Sequence, residues 1–273
     1  MHVKNKSIGV NFMNRLGILG TGNMGSAIIN GISNSKLDVE VYAYDKDAEK
    51  LSSIPVNICS DEKSLVSICK YVLLAVKPQV LGSVLDEFAS VVTEDTVFIS
   101  ICAGISEEFI CSRTIDSAKV ILVMPNTPMM LGFGASAMAK GERVSDEEFA
   151  FARSVIGSCG ITEVVPMDKM KEIICINGSS PAFIYLFAKG FIDYASENGI
   201  DADAAMNLFS ATLIGSAKML TESGMTVDEL IKQVSSPGGT TIAGLEMLYA
   251  GDIVGHVKDA CAACTERAYE LAK

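Results

Sequence analysis

The sequence is poor in the residues on which several common catalytic mechanisms depend. Its 273 residues include two histidines, His2 and His256, and no tryptophan. This excludes Ser-His-Asp triads, His-Glu-x-x-His zinc sites and dehydrogenases whose general base is a histidine held by a carboxylate. His256 lies in an alanine- and cysteine-rich helical stretch, where a packing role is the alternative to catalysis. Any chemistry must therefore proceed without imidazole.

Cations and long apolar runs are also scarce. The chain has 22 Lys and Arg against 33 Asp and Glu, a net charge of -11, which favours a small-molecule partner over nucleic acid or an anionic membrane. No apolar run approaches the roughly 18 to 20 residues of a membrane helix. The N-terminus lacks the apolar segment of a signal peptide. We therefore expect a cytoplasmic protein.

Cysteine is present but not in a pattern that holds a metal. The eight cysteines are scattered, mostly within apolar segments, as small buried residues are. Cys261 and Cys264 share a helix face, but no second Cys-x-x-Cys or histidine pair completes a zinc site. We expect reduced thiols and no bound metal.

Short apolar runs alternate with helical patterns from residue 15 to about 165. "RLGILG", "VEVYAYD", "YVLLAV", "TVFISI" and "KVILVMP" read as strands, with helical patterns such as "MGSAIINGIS" and "KDAEKLSS" between them. The runs are continuously apolar, which is typical of parallel strands buried on both faces. A helix at 145–158 and a strand at 161–165 complete a predicted Rossmann-type doubly wound α/β domain.

After Pro166 the strand signals end and helical segments follow one another. Gly199 and Gly224 suit positions after helix ends, Asp201 suits an N-cap, and "TVDE" from Thr226 makes a capping box. The predicted domains are an N-terminal extension (1–12), a dinucleotide-binding domain (13–166) and a helical domain (167–273). Because segments such as "AFIYLFAKGFIDYA" are strongly apolar, we expect a homodimer through the helical domain.

A glycine-rich loop follows the first predicted strand. "GTGNMG" places Gly20, Gly22 and Gly25 in a G-x-G-x-x-G that opens a helix, the fingerprint of dinucleotide binding. Asp45 ends the second strand, where a carboxylate binds the adenine ribose of NAD, although capping of the next helix is an alternative role. Lys46 follows and suits a 2′-phosphate. The choice between NAD and NADP stays open.

Three further stretches carry polar groups at element ends. Lys77, in "LLAVKPQ", is either a catalytic acid or a cofactor contact, and we interpret it as the latter. Asn126, in "MPNTP", presents neutral hydrogen-bonding groups on a backbone that two prolines fix. "VSSPGGTT" at 234–241 is either a helix linker or an anion site built from the N–H groups that begin the next helix.

Together these motifs resemble pyrroline-5-carboxylate reductase. The resemblance is carried by "GTGNMG", "AVKPQ", "SICAGIS", "VMPNTP", "NGSSPAF", "ATLIGSAKML" and "VSSPGGTTIAGLE", and covers residues 15–273. It implies reduction of 1-pyrroline-5-carboxylate to proline with NADPH or NADH. It also implies a Rossmann domain, a helical domain that dimerises, an active site built between the two, and in many members rings of dimers.

The resemblance also assigns roles to individual residues. Thr212 becomes the hydrogen-bond partner of the imine nitrogen and a candidate proton donor, although a bond to its own helix carbonyl is an alternative. The substrate residues that it implies are Asn126, Ser235, Ser236, Gly238, Gly239, Thr240 and Thr241. The cofactor residues are Gly20, Thr21, Gly22, Asn23, Met24, Gly25, Asp45, Lys46, Ala75, Val76, Lys77, Pro78, Ala103 and Gly104.

Three positions depart from the family pattern. Leu122 stands where an arginine is common, Ser180 replaces a glycine, and Lys189 replaces a glutamate. These departures keep two alternatives open, a dinucleotide-binding regulatory paralogue and a reductase of another cyclic imine acid. A 3-hydroxy acid dehydrogenase is disfavoured because "NGSSPAFIYLF" lacks the lysine base of that class, although Lys189 lies farther on.

Overall fold

A computed structural model describes residues 14–52 and 54–271. The predicted N-terminal extension, residues 1–12, lies outside the described residues. The chain divides into two compact units. The first unit extends to Gly178 and includes the chain again from Cys264, and the second is Ser179–Ala263.

The first unit is built on an eight-stranded sheet. Its strands are β1 (Arg15–Leu19), β2 (Glu40–Tyr44), β3 (Asn57–Ile58), β4 (Tyr71–Leu74), β5 (Val97–Ser100), β6 (Lys119–Met124), β7 (Gly134–Lys140) and β8 (Gly160–Val164). Its helices are α1 (Asn23–Ser33), α2 (Glu62–Ile68), α3 (Pro78–Phe88), α4 (Glu107–Arg113) and α5 (Asp146–Gly157). The strand order is β3-β2-β1-β4-β5-β6-β7-β8, which contains the Rossmann order and confirms the predicted fold class.

The central strands β1, β4, β5 and β6 are buried on both faces, as their continuously apolar sequences predict. Ile18 and Ile99 pack on one face with apolar residues of α1 and α5, such as Ile28. Phe98 packs on the other face with residues of α2, α3 and α4, such as Phe88. Each large side chain buried in this way contributes about 1.5–3 kcal/mol to folding. The two apolar layers therefore hold the carboxyl ends of β1 and β4 in fixed positions.

Two strands, β7 and β8, run opposite to the other six and so against the predicted parallel direction. β7 pairs antiparallel with β6, with Met124 opposite Ala137. The connection from Pro125 to Phe133 is too short for a crossover helix, since parallel neighbours need a dozen or more linking residues. β8 then pairs parallel with β7 after α5.

Two short elements between β2 and β4 differ from the sequence expectation. The predicted helix at "KDAEKLSS" is a 3-10 turn over Ala48–Leu51. A four-residue turn followed closely by Pro55 cannot extend into an α-helix, because helix nucleation is costly and proline lacks an N–H group. The two-residue strand β3 has no detectable sequence pattern.

The second unit is helical, as the absence of strand signals predicts. Its helices are α6 (Ser180–Glu197), α7 (Ala202–Glu222), α8 (Val227–Gln233), α9 (Thr240–Ala250) and the first part of α10 (Ile253–Leu271). The predicted caps form, because Asp201 accepts a hydrogen bond from the Ala204 N–H at 2.9 Å and Thr226 forms a capping box with Glu229. Phe191 of α6 stacks on Phe209 of α7, with ring centroids 4.4 Å apart.

The end of α10 belongs to the first unit, whereas the predicted domain boundary lies after Pro166. Tyr269 explains this difference, because its hydroxyl donates to Glu172 at 3.0 Å and its ring lies 4.5 Å from the Lys171 ammonium. Residues 167–178 and the last turns of α10 are therefore one structural group. The boundary after Pro166 stays a prediction.

A buried ion-pair network ties α5 to the sheet. The Glu148 carboxylate is 2.9 Å from the Lys119 ammonium and 3.0 Å from that of Lys70, and it accepts from the Ser145 N–H in a capping box. Burial by itself would raise the pKa of Glu148, but the Ser145 N–H and the two lysines hold that pKa below its ordinary value. The ionised Glu148 carboxylate therefore stabilises the fold at pH values above the pKa of a glutamate in the unfolded chain, about 4.3. That contribution is lost as the pH falls through the lower folded-state pKa.

Glu148→Gln should lower the free energy of unfolding by about 3 kcal/mol at pH 7, because it leaves two half-buried lysines without their carboxylate. Urea titration measures the change. The exposed neighbour provides the control, since Glu147→Gln should shift the free energy by about 0.5 kcal/mol or less. Equal effects of the two substitutions would show that the network does not stabilise the fold.

Candidate active site

The glycine loop between β1 and α1 has the shape that its sequence predicts. Gly20 has a φ of +95°, and a Cβ there would lie 2.8 Å from the Ala75 carbonyl oxygen. A Cβ on Gly25 would lie 2.1 Å from the carbonyl oxygen of Gly20. Both positions therefore require glycine, the first for the turn and the second for the close packing of α1 on the loop.

The second glycine of the motif, Gly22, has open space beside it. A Cβ on Gly22 would meet no atom of the described residues within 4 Å. Gly22 is also the N-cap of α1, where no described side chain caps the helix, and the first turn contains no acidic residue. The N–H groups and the positive end of the helix dipole are thus available to an anion. This geometry fits the pyrophosphate of a dinucleotide.

Asp45 lies next to the glycine loop at the end of β2. Its Oδ2 accepts from the Thr21 N–H at 2.7 Å and from the Thr21 hydroxyl at 3.2 Å. Its Oδ1 accepts from the Asp47 N–H at 2.9 Å and lies 3.6 Å from the Lys50 ammonium. The carboxylate is therefore anchored against the loop, while the alternative role, capping of the next turn, falls to Asp47.

These contacts also fix the charge of Asp45. Partial burial by itself would raise its pKa, but the N–H groups of Asp47 and Thr21 and the charge of Lys50 hold that pKa below its ordinary value. Asp45 is therefore ionised at neutral pH. Lys46, the predicted 2′-phosphate contact, is exposed.

The loop after β4 lies beside the glycine loop because β4 is the neighbour of β1. The Ala75 N–H donates to the Leu19 carbonyl at 2.9 Å, and Lys77 is the exposed N-cap of α3, with Pro78 in its first turn. Cys102, which sequence reasoning assigned to the core, donates from Sγ to the carbonyls of Leu74 and Val76 at 3.4 and 3.2 Å. Burial raises the pKa of this thiol to about 12, so it positions the loop as a neutral donor.

Two other predicted residue groups lie at neighbouring strand ends. Ala103 and Gly104 follow β5, and Gly104 has a φ of +77°. Asn126 follows β6, and its Oδ1 accepts from the Ala135 N–H at 2.9 Å. Sequence reasoning missed Asn177, whose amide donates to the Met124 carbonyl at 2.6 Å.

The "SSPGGTT" loop connects α8 to α9 within the second unit. Gly238 has a φ of +71°, and the Gly239 N–H donates to the Ser236 carbonyl at 2.9 Å. Gly239 is the N-cap of α9, and no side chain in the described part of the chain caps that helix. The first N–H groups of α9, including those of Thr240 and Thr241, thus begin a helix of eleven residues without a side-chain acceptor. The loop fits a carboxylate at this helix end.

Two hydroxyl groups of the second unit donate to their own helix backbone. Ser235 donates to the Ile231 carbonyl at 2.7 Å, so its oxygen keeps its acceptor capacity. Thr212, in α7, is exposed in the single chain and donates to the Leu208 carbonyl at 2.9 Å. The alternative role that the sequence left open for Thr212, a bond within its helix, therefore exists, and its proposed role stays a prediction.

The three departures from the family pattern have distinct environments. Leu122 is buried and lines a cavity of about 430 Å³ with Met124, Met170 and Tyr269. Lys189 forms an i, i+4 ion pair with Asp193 on α6. Ser180 begins α6.

The strand order and the glycine loop define the first unit as a Rossmann-type dinucleotide-binding unit. A family model described as NADP oxidoreductase, coenzyme F420-dependent, matches residues 15–104, and one described as pyrroline-5-carboxylate reductase dimerisation matches residues 167–271. Pyrroline-5-carboxylate reductase 3 of Xenopus laevis is 34% identical over 263 residues, which are 94% of this chain and 96% of that protein. The chain belongs to the pyrroline-5-carboxylate reductase family, and the resemblance read from its motifs is confirmed.

Solved structures agree with this assignment. The pyrroline carboxylate reductase of Plasmodium falciparum, a structure with NADP bound, has a TM-score of 0.84 and 29% identity, with coverage of 96% of this chain and 99% of that chain. The pyrroline-5-carboxylate reductase of Coxiella burnetii has a TM-score of 0.88 and 27% identity, with coverage of 94% and 98%. The similarity extends over both units of the chain.

The helical unit exposes a large apolar surface. Leu186, Leu208 and Met247 are each at least 70% exposed in the single chain. Such a surface is typical of a protein interface, and the dimerisation model matches this part of the chain. We conclude that the helical segment is the surface of self-association. Within residues 14–52 and 54–271, no helix combines the length and the apolarity that a membrane span requires.

Proposed function

We propose that the protein reduces 1-pyrroline-5-carboxylate to L-proline with NADPH or NADH, the final step of proline biosynthesis. The observation that carries this proposal is membership of the reductase family over 94% of the chain, with a glycine loop shaped for a pyrophosphate. All eight cysteines are free thiols, which supports our placement of the reaction in the cytoplasm.

The first unit supplies the residues for the dinucleotide. Gly22 and the N-terminus of α1 bind the pyrophosphate, and Asp45 binds the adenine ribose. Ala75–Pro78 and Ala103–Gly104 line the path towards the nicotinamide, because they follow β4 and β5 at the same edge of the sheet. When bound, the dinucleotide supplies a hydride from C4 of its nicotinamide.

The second unit supplies the residues for the substrate. The uncapped start of α9 binds the pyrroline carboxylate through N–H groups of Thr240 and Thr241, and Gly238 gives the loop the left-handed turn that it requires. Ser235 and Ser236 complete the cradle with their hydroxyl groups. The Thr212 hydroxyl forms a hydrogen bond with the ring nitrogen.

The reaction suits a protein that is poor in histidine. The imine nitrogen gains a proton, the hydride adds to C5, and the C=N bond becomes a single bond. A hydroxyl group or solvent delivers the proton, so no imidazole base is required. The main contribution of the protein is to hold the ring and the nicotinamide in the reactive geometry.

Addition of 1-pyrroline-5-carboxylate to purified protein with NADPH or NADH tests the proposal by the loss of nicotinamide absorbance as the dinucleotide is oxidised. Turnover supports the reductase. Dinucleotide binding without turnover would favour a regulatory paralogue. Turnover confined to a different cyclic imine acid would assign the same chemistry to another substrate.

Thr212→Ala should lower kcat for imine reduction by about 10-fold or more while the Kd for dinucleotide stays within about 2-fold, because the contact with the ring nitrogen is lost and no dinucleotide contact is changed. Thr221→Ala is a matched control, since Thr221 lies on the same exposed helix and donates to the Ala217 carbonyl four residues back. A Thr212→Ala variant with the kcat of Thr221→Ala would limit Thr212 to a structural role.

A further inference from the structure

The backbone pairing of β6 with β7 does not extend to the first residues of β7. Met124 and Ala137 are its last pair, and the next hydrogen-bonded position would place the Asn126 backbone opposite Ala135. Ala135, the second residue of β7, lies two residues beyond that pair. Its N–H and C=O therefore need partners other than the β6 backbone.

Two side-chain amides supply these partners. Asn126 accepts from the Ala135 N–H at 2.9 Å through Oδ1. Asn177 donates from Nδ2 to the Ala135 carbonyl at 2.8 Å and to the Met124 carbonyl at 2.6 Å. The amide group of Asn177 thus joins the end of β6 to the start of β7, on both sides of the turn that carries Asn126.

The oxygen atom of the Asn177 side-chain amide differs from the nitrogen in having no hydrogen-bond partner among the described residues. This atom, Oδ1, is buried. A buried acceptor without a partner is destabilising, and a smaller residue would avoid this burial. The two N–H donors are therefore what Asn177 contributes to the structure. Asn177 also lies in a π-helix, Ile174–Ser179, an irregular form that is frequent at functional sites.

We propose that Asn177 is a positioning residue for imine reduction, acting through Ala135 and Met124 to hold Asn126 in place. The Oδ1 of Asn126 accepts from the Ala135 N–H, so the orientation of the Asn126 side chain depends on the position of the Ala135 backbone. Asn177 fixes that position through its hydrogen bond to the Ala135 carbonyl. This leaves the Nδ2 of Asn126 for the substrate contact that the family resemblance implies. This inference rests on the proposed function and on the substrate contact that the family resemblance implies for Asn126.

A double-mutant cycle tests this inference through four proteins: wild type, Asn126→Ala, Asn177→Ala and the double variant. We expect Asn177→Ala to lower kcat/KM for the imine by about 10-fold or more, since small displacements in a site have effects of this size. The dinucleotide Kd should stay within about 2-fold. The double variant should be within about 2-fold of Asn126→Ala, because both substitutions remove the same contact.

Asn14→Ala is the matched control, since the Asn14 amide donates to the Asp38 carbonyl at 3.1 Å before β1, at the opposite end of the sheet. It should keep the wild-type kcat/KM. If Asn177→Ala does not fold, Asn177→Ser takes its place in the cycle. The inference would be overturned if the two losses multiply in the double variant. It would also be overturned if either single variant keeps the wild-type kcat/KM or if Asn177→Ala weakens dinucleotide binding.

The wild-type assay separates this inference from the proposed function. Wild-type turnover with an unaffected Asn177 variant would contradict the role of Asn177 alone. Absence of imine turnover by the wild-type protein would contradict the proposed function, and the role of Asn177 would be rejected with it.

Discussion

Gly22→Asp should abolish dinucleotide binding and leave the fold intact. The new side chain has space, since no described atom lies within 4 Å of a Cβ at this position, and the φ of -67° suits any residue. Its carboxylate would occupy the uncapped N-terminus of α1, where the pyrophosphate binds in our account. We expect the Kd for NADH and NADPH to rise by at least about 100-fold, as measured by quenching or enhancement of nicotinamide fluorescence.

Gly22→Asn separates charge from bulk in this experiment. The asparagine has nearly the same size but no charge, so its Kd should rise less than that of Gly22→Asp. Thermal unfolding of both variants without dinucleotide should resemble that of the wild type. Unchanged dinucleotide affinity in Gly22→Asp would contradict the assignment of the first unit as the cofactor-binding unit.

The wild-type protein should bind NADH more tightly than NADPH, and Asp45→Asn should change the ratio of the two affinities by about 10-fold or more in favour of NADPH. Asp45 is ionised and anchored by the Thr21 and Asp47 N–H groups. We therefore expect it to accept a ribose hydroxyl but to repel a 2′-phosphate, which carries up to two negative charges. Asparagine keeps the shape and removes this repulsion. Titration with each dinucleotide measures the change.

Asp47→Asn is the control for the cofactor preference. Asp47 is an exposed carboxylate two residues farther on that shares Lys50 with Asp45. Its substitution should leave the affinity ratio within about 2-fold of wild type. A wild-type preference for NADPH that Asp45→Asn does not change would show that Lys46 or Lys50, and not Asp45, determines the cofactor.

The parts of the fold that could be predicted are those with a local cause. Gly20, Gly25 and Asp45 were identifiable because the glycine loop needs fixed residue types at fixed spacing after a strand. The cap at Asp201 and the capping box at Thr226 follow from contacts within four residues. Continuous apolar runs likewise predicted the buried sheet.

The parts that could not be predicted depend on contacts distant in sequence. Asn177 meets Met124 and Ala135 only after the sheet has formed, and nothing in "NGSSPAF" indicates either partner. The packing of Tyr269 beside Lys171 and Glu172, which places the end of α10 in the first unit, is equally non-local. The role predicted for Thr212 rests on the family resemblance alone.

The most direct test of the account is the stoichiometry of the reaction. Purified protein is incubated with 1-pyrroline-5-carboxylate and a limiting amount of NADH, or separately NADPH, and the proline formed is quantified on a chiral column. We predict one L-proline for each dinucleotide oxidised, and no oxidation without the imine. Dinucleotide oxidation without proline, or binding of dinucleotide without oxidation, would contradict the assignment of this protein as a working reductase.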